Sequence, residues 1–215
     1  MKVLVFDTET TGLPTERNAS IMDTEKWPYI LQLSYVVYDT DEHLILDCVD
    51  DIIKIDNEKI KISAETTAIH GITNEICDEK GVPLIDALKK FNETLLNVDM
   101  IVGHNISFDK QLVMVECNRN NIRQKFTING VRKPEYCSMK RNTELCGIEI
   151  ITPEGKKYFK YPSLSYLYTH LFKCDPPKNV HNALVDVLVC LRCYIFIQHN
   201  VDIIQLIKDR LIPTF

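Results

Sequence analysis

Three runs rich in β-branched and aromatic residues fill the first 55 positions, and the pattern then changes to short apolar runs alternating with helical periodicity. The first run, Val3–Asp7, is apolar until it meets an acid. A turn at Thr11-Gly12-Leu13-Pro14 and a polar loop to about Lys26 separate it from YILQLSYVVYD, Tyr29–Asp39. The third, His43–Ile55, has an acidic middle that predicts a bend. Short polar turns between such runs predict an antiparallel meander. After AIHGIT (Ala68–Thr73), Leu84, Leu88, Phe91 and Leu95 recur at three- and four-residue spacing behind Pro83, which predicts a helix. DMIVGHN (Asp99–Asn105) predicts a short strand ended by Gly103, with Ser107 as N-cap of a helix carrying Phe108, Leu112 and Val115. Further helices are predicted over Ser163–Phe172 and from near Asn182 through ALVDVLVCLRCYIFI. A meander followed by alternating strands and helices predicts a mixed α/β sheet.

At 215 residues, 45% hydrophobic and 26% charged, the chain fits one globular domain over residues 1–215. No apolar run is long enough to cross a membrane, and the N-terminus lacks a signal-peptide pattern. The expectation is a soluble intracellular protein of cytoplasm or nucleus, without a membrane partner. Abundant Ile, Asn and Lys fit an AT-rich genome, viral or otherwise. The eight cysteines are scattered; Cys190 and Cys193 form a CxxC inside an apolar helical pattern with no second pair, which reads as buried thiols rather than a zinc site.

The net charge of −5 argues against bulk nucleic-acid binding, but its distribution is uneven. From Cys117 to Lys178 there are 12 basic and 5 acidic residues, against 13 and 25 elsewhere. Such a stretch can form a wall that attracts phosphates, or a set of solvated loops and helix faces. Within it, Ile148–Tyr161 predicts a hairpin insertion around Pro153-Glu154-Gly155. Its Lys156, Lys157 and Lys160 interleave with Tyr158, Phe159 and Tyr161. That pattern suits a single-strand grip, and equally an edge hairpin guarded by lysines.

Four acids stand at structural endings. Asp7 and Glu9 share one face of a strand, their Cβ atoms about 6–7 Å apart. Asp109 falls in the first turn of its helix, and Asp186 early in the last one. An acid in a first turn can merely complement the helix dipole. Asp186, however, lies on a helix apolar almost all round, nearly opposite the stripe Leu184, Leu188, Leu191 and Ile195. A carboxylate there needs a cation or strong donors. Three Asp and one Glu offer only oxygen, which suits Mg²⁺ or Mn²⁺. Two such ions about 3.5–4 Å apart would stabilise the attacking and leaving oxygens of phosphodiester hydrolysis. Imidazole titrates nearest neutrality, so His181, just before the last helix, is a candidate proton acceptor.

In order and context, FDTETTGLP (Asp7, Glu9), VGHNISFD (Asp109) and HNALVDV (His181, Asp186) resemble the three motifs of the DEDDh, or DnaQ-like, exonucleases. The resemblance spans the chain from first strand to last helix. It implies an RNase H-like fold with a mixed five-stranded sheet flanked by helices. It also implies metal-dependent 3′→5′ removal of nucleoside monophosphates from single-stranded or frayed ends. By motif position Asp7, Glu9, Asp109 and Asp186 are implied metal ligands for two Mg²⁺ or Mn²⁺ ions, with Asp7 the bridge and His181 the general base. Thr10 is implied to contact the 3′ end through its backbone, and Leu13 to wedge against the terminal bases. A Leu13 that closes the turn as a core residue is the alternative. Asn105 and His70 sit in family-like contexts ("GHN", "IHGIT") as candidate substrate contacts, or as loop organisers.

The expected partner is a DNA or RNA 3′ end, with DNA favoured and an exoribonuclease as the rival. No residue in the sequence is identified as reading the 2′-OH. A polymerase or replication partner would act in trans, and relatives include homodimers. A catalytically inactive binding module would have lost acidic ligands, whereas all four are in place here.

Overall fold

The computed structural model describes residues 1–178 and 181–215. β1 (Lys2–Thr10), β2 (Ile30–Asp39) and β3 (Leu44–Ile52) form the expected antiparallel meander. Then come α1 (Ala64–His70), α2 (Asn74–Lys80), α3 (Leu84–Leu96), β4 (Met100–Gly103) and α4 (Ile106–Arg119). A two-residue pair, β5 (Thr127–Ile128) and β6 (Val131–Arg132), precedes β7 (Glu135–Cys137), α5 (Ser138–Arg141) and α6 (Thr143–Cys146). The hairpin β8 (Glu149–Ile151) and β9 (Lys157–Phe159) leads to α7 (Leu164–Phe172), α8 (Ala183–His199) and α9 (Ile204–Arg210).

Among the described residues the main sheet has five strands in the order β3-β2-β1-β4-β7, with β4 parallel to both β1 and β7. β1 is central and buried on both faces, which is why it reads as a continuous apolar run. The period of two divides its residues. Leu4 and Phe6 join the core under α3 and α4, where Phe91 meets Phe6 at 5.2 Å and Tyr35 at 5.5 Å between ring centroids. Val3 and Val5 join the core under α8. The opposite side of α8 packs Val185, Val189 and Cys193 against Leu167 and Tyr168 of α7. Sheet and helix thus enclose α8 between them, as its all-round apolarity requires.

Polar side chains start the helices where the sequence supplies them. Ser63, Thr73, Ser163 and Asn182 each accept a backbone N–H three residues on. Ser107 does not do so. Asn105, in the left-handed region at φ 61°, precedes α4, and the helix is under way by Ile106. The cause is the closeness of the turn: a Cβ on Gly103 would come within 3.1 Å of the Ile106 Cβ, leaving no room for a longer connection. β1 also runs three residues beyond the expected Asp7, because its ladder with β2 continues as far as Thr10 opposite Ile30. Cys190 and Cys193 are buried along α8. No helix among the described residues is long and apolar enough to cross a membrane.

Candidate metal centre and active site

The site forms where β1 outruns its neighbour. β4 pairs only with Val3–Val5, so Asp7 to Thr10 project past it. On the α8 face Asp7 lies opposite Ser34 and Glu9 opposite Gln32. The start of α4 closes the gap beside them. Asp109, 4% exposed, accepts the Thr8 backbone N–H at 3.2 Å and the Thr8 hydroxyl at 2.7 Å.

α8 brings the fourth acid. Buried Gln32 fixes its start, accepting the Ala183 N–H through Oε1 at 3.2 Å. The Gln32 amide and the Ser34 hydroxyl both donate to Asp50 Oδ1 at 2.6 Å, which locks β2 and β3 behind the acids. One turn into α8, Asp186 accepts the His181 backbone N–H at 3.3 Å. His181 is exposed, with φ 74°, and lines one cleft with Asp7 and Asp186.

Carboxylate oxygens of Asp7, Glu9 and Asp186 all lie within 4.8 Å of one another. Asp109 stands outside that mutual set, turned toward Thr8, yet its charge acts on Asp7 and Glu9. None of the four joins a salt bridge among the described residues. Burial first, then mutual repulsion, drives Asp7 well above the ordinary carboxylate range. The same causes raise Glu9 to about 8. Burial lifts Asp109 to about 7 against the bonds from Thr8, and Asp186 to about 6 against the His181 N–H. Four crowded carboxylates without a salt bridge among the described residues form an oxygen donor set that fits a hard divalent cation.

The other sequence-derived residues lie at the end of β1 and just past it, at the end of α1 and just before α4. The Thr10 hydroxyl donates to the Gly12 carbonyl at 2.7 Å and closes the turn after the acids. Gly12, at φ 148°, permits it. Leu13 is 79% exposed, which excludes the core alternative. Asn105 is exposed, and its Oδ1 accepts the Ser107 hydroxyl at 3.4 Å. His70 ends α1; its Nδ1 accepts the Ile72 N–H at 3.0 Å, while Nε2 is buried and makes no full hydrogen bond. Burial holds this imidazole below its ordinary pKa, partly offset by the Thr10 backbone, so His70 abuts the turn that carries Thr10.

Sequence reasoning missed His104. Its Nε2–H donates to the Pro162 carbonyl at 3.1 Å, and Nδ1 accepts the Ser138 hydroxyl at 2.9 Å. It thereby ties the chain leaving the hairpin to the end of β4. Burial lowers its pKa to about 4, so it stays neutral and holds that tautomer. The histidine stands in the same GHN triplet from which Asn105 drew notice.

A family model described as Exonuclease, of RNase T type, matches residues 4–194. The chain belongs to the exonuclease family. Its DnaQ-like motifs, five-stranded sheet and acidic cluster stand with that membership, which implies dependence on divalent metal. Sequence comparison with curated proteins finds no match. Solved structures share the exonuclease fold. The Exonuclease I of E. coli in complex with a dT13 oligonucleotide is 15% identical with a TM-score of 0.65, over 93% of this chain and 42% of that one. A zinc-bound E. coli ExoI–ssDNA complex is 17% identical with a TM-score of 0.66, covering 93% and 41%. The Exonuclease I of Methylocaldum szegediense is 19% identical with a TM-score of 0.61, again covering 93% and 41%. The chain thus spans about two fifths of their length.

Proposed function

We propose that the chain is one 3′→5′ exonuclease domain that hydrolyses the terminal phosphodiester of single-stranded or frayed nucleic acid and releases nucleoside 5′-monophosphates. The carrying observation is the set of carboxylate oxygens of Asp7, Glu9 and Asp186 within 4.8 Å, without a salt bridge among the described residues, in a cleft shared with His181. Asp7, Glu9, Asp109 and Asp186 would hold two Mg²⁺ or Mn²⁺ ions. When bound, these offset the carboxylate charge and supply Lewis acidity toward the scissile phosphate and water.

The chain's own residues do the rest. His181, exposed at the mouth and tethered to Asp186 through its N–H, accepts a proton from the attacking water. Water oxygen bonds to phosphorus as the bond to the 3′-oxygen of the preceding nucleotide breaks. Exposed Leu13 wedges against the terminal base, and the turn at Thr10, with His70 behind it, receives the 3′ nucleotide. Asn105 borders this end. DNA is the favoured substrate, supported by the oligonucleotide and ssDNA complexes of the E. coli relative.

The test is degradation of matched 5′-labelled DNA and RNA oligonucleotides in Mn²⁺. The expected product is a ladder shortening from the 3′ end, faster on DNA and absent in EDTA. Faster loss of RNA would make the chain an exoribonuclease. Intact DNA and RNA after prolonged incubation, with binding retained, would leave a non-catalytic module.

A further inference from the structure

The cleft holding Asp7, His181 and Asp186 extends well beyond them. Its volume is about 620 Å³, and Lys160, Tyr161 and Tyr166 form another part of its lining. The Lys160 N–H donates to the Ile148 carbonyl at 2.8 Å, so the two continue the β8–β9 register outward from Glu149 opposite Phe159. Alternation along the ladder then puts Lys160, Tyr158 and Lys156 on one face of the hairpin at two-residue spacing, about 7 Å per step. The opposite face carries Lys157, whose Nζ is neutralised by Glu149 at 2.8 Å. Lys156 and Lys160 join no salt bridge among the described residues.

The aromatic groups of this face, Tyr158, and of the cleft lining, Tyr161 and Tyr166, are held open. Tyr158, Tyr161 and Tyr166 are 49%, 55% and 43% exposed, and the Tyr166 ring lies nearly parallel to His170. An edge hairpin that only guards itself against pairing needs the lysines and not the rings. Unpaired bases need both: cations for phosphates and flat apolar surfaces for stacking, which a duplex would not offer.

We infer that this face of the hairpin, with Tyr161 and Tyr166, is the track for the single strand on the 5′ side of the scissile bond. Lys156 and Lys160 meet its phosphates, and Tyr158, Tyr161 and Tyr166 stack its bases. The inference rests on the nuclease reading above, because the terminal nucleotide at the acids sets the direction in which the strand leaves.

KM is measured for a dinucleotide, which has a single nucleoside on the 5′ side of the scissile bond, and for a 12-mer, which is long enough to cover the hairpin. Tyr158→Ala/Tyr161→Ala is expected to narrow the ratio of the two KM values by at least about fivefold. Lys157→Ala, on the opposite face, should leave that ratio as it is. An unchanged ratio in the tyrosine variant, or an equal loss in Lys157→Ala, overturns the inference. If the wild type hydrolyses neither oligonucleotide, the nuclease reading fails separately. The track is then decided by fluorescence anisotropy of a labelled 12-mer in EDTA: weaker binding by the tyrosine variant than by wild type supports it, and equal titrations overturn it.

Discussion

Asp109 accepts both the backbone N–H and the hydroxyl of Thr8, so the first turn of α4 occupies the place on β1 that a longer β4 would have filled. The same two bonds oppose the rise in Asp109's pKa caused by burial. Thr8→Val keeps the shape and removes the hydroxyl. A hydrogen bond to a charged group contributes about 1.5–3 kcal/mol. The variant should therefore need at least about tenfold more Mn²⁺ for half-maximal nuclease activity. A metal titration of initial rates measures this, and an unchanged midpoint would separate Thr8 from the site.

The four acids make the metal-free fold sensitive to pH. Their folded pKa values lie above those of free carboxyls, with Glu9 at about 8, Asp109 at about 7 and Asp186 at about 6. Between about pH 4 and 8 the folded state thus holds more protons than the unfolded one, and stability falls as pH rises. Mg²⁺ or Mn²⁺ competes with those protons. Thermal melts should show little metal effect at pH 5.5 and a stabilisation that grows to pH 8, reaching about 2.7 kcal/mol at 100 times Kd.

His104 gives the opposite slope. Its folded pKa of about 4 lies below the ordinary histidine value, so acid protonates the unfolded chain first. Its contribution to stability is present above about pH 6.5 and is lost as pH falls toward 4, by up to ~3 kcal/mol. His104→Gln can still donate to Pro162 and accept from Ser138. Urea denaturation at pH 7 and 4.5 should show the wild type losing more stability than this variant over that interval.

Much of this site was legible because its physics is local. Alternation alone put Asp7 and Glu9 on one face, and Ser163 and Asn182 cap the helices their positions suggested. The all-round apolarity of α8 announced that Asp186 would face a buried or half-buried surface, and it is half-buried. What escaped notice depends on distant partners. α1 buries no residue fully and α2 only Cys77, so neither showed a clear apolar stripe. β7 has three residues and is a strand because β4 lies alongside it. Gln32 looked like one polar residue in an apolar strand, and its role required knowing that α8 begins above it.

Another hidden link crosses from α4 to the loop before β2. Arg119 donates to Glu116 at 2.6 Å, to the Pro28 carbonyl at 2.8 Å and to the Thr24 and Trp27 carbonyls at 2.5 Å. Glu116 is 1% exposed and also accepts the Ile30 N–H. Arg119→Met strands that buried carboxylate and should cost about 3–5 kcal/mol. Arg119→Met/Glu116→Gln should recover part of the loss in chemical denaturation, since no unpaired charge is left.

The central claim is that Asp7, Glu9, Asp109 and Asp186 crowd together in order to hold divalent metal. Anomalous diffraction at the manganese edge from Mn²⁺-soaked crystals tests it most directly. Strong peaks bounded by oxygens of these four residues, lost in Asp7→Asn, are the expected result. Four carboxylates engaged with the protein's own donors, and no peak between them at saturating Mn²⁺, would contradict it.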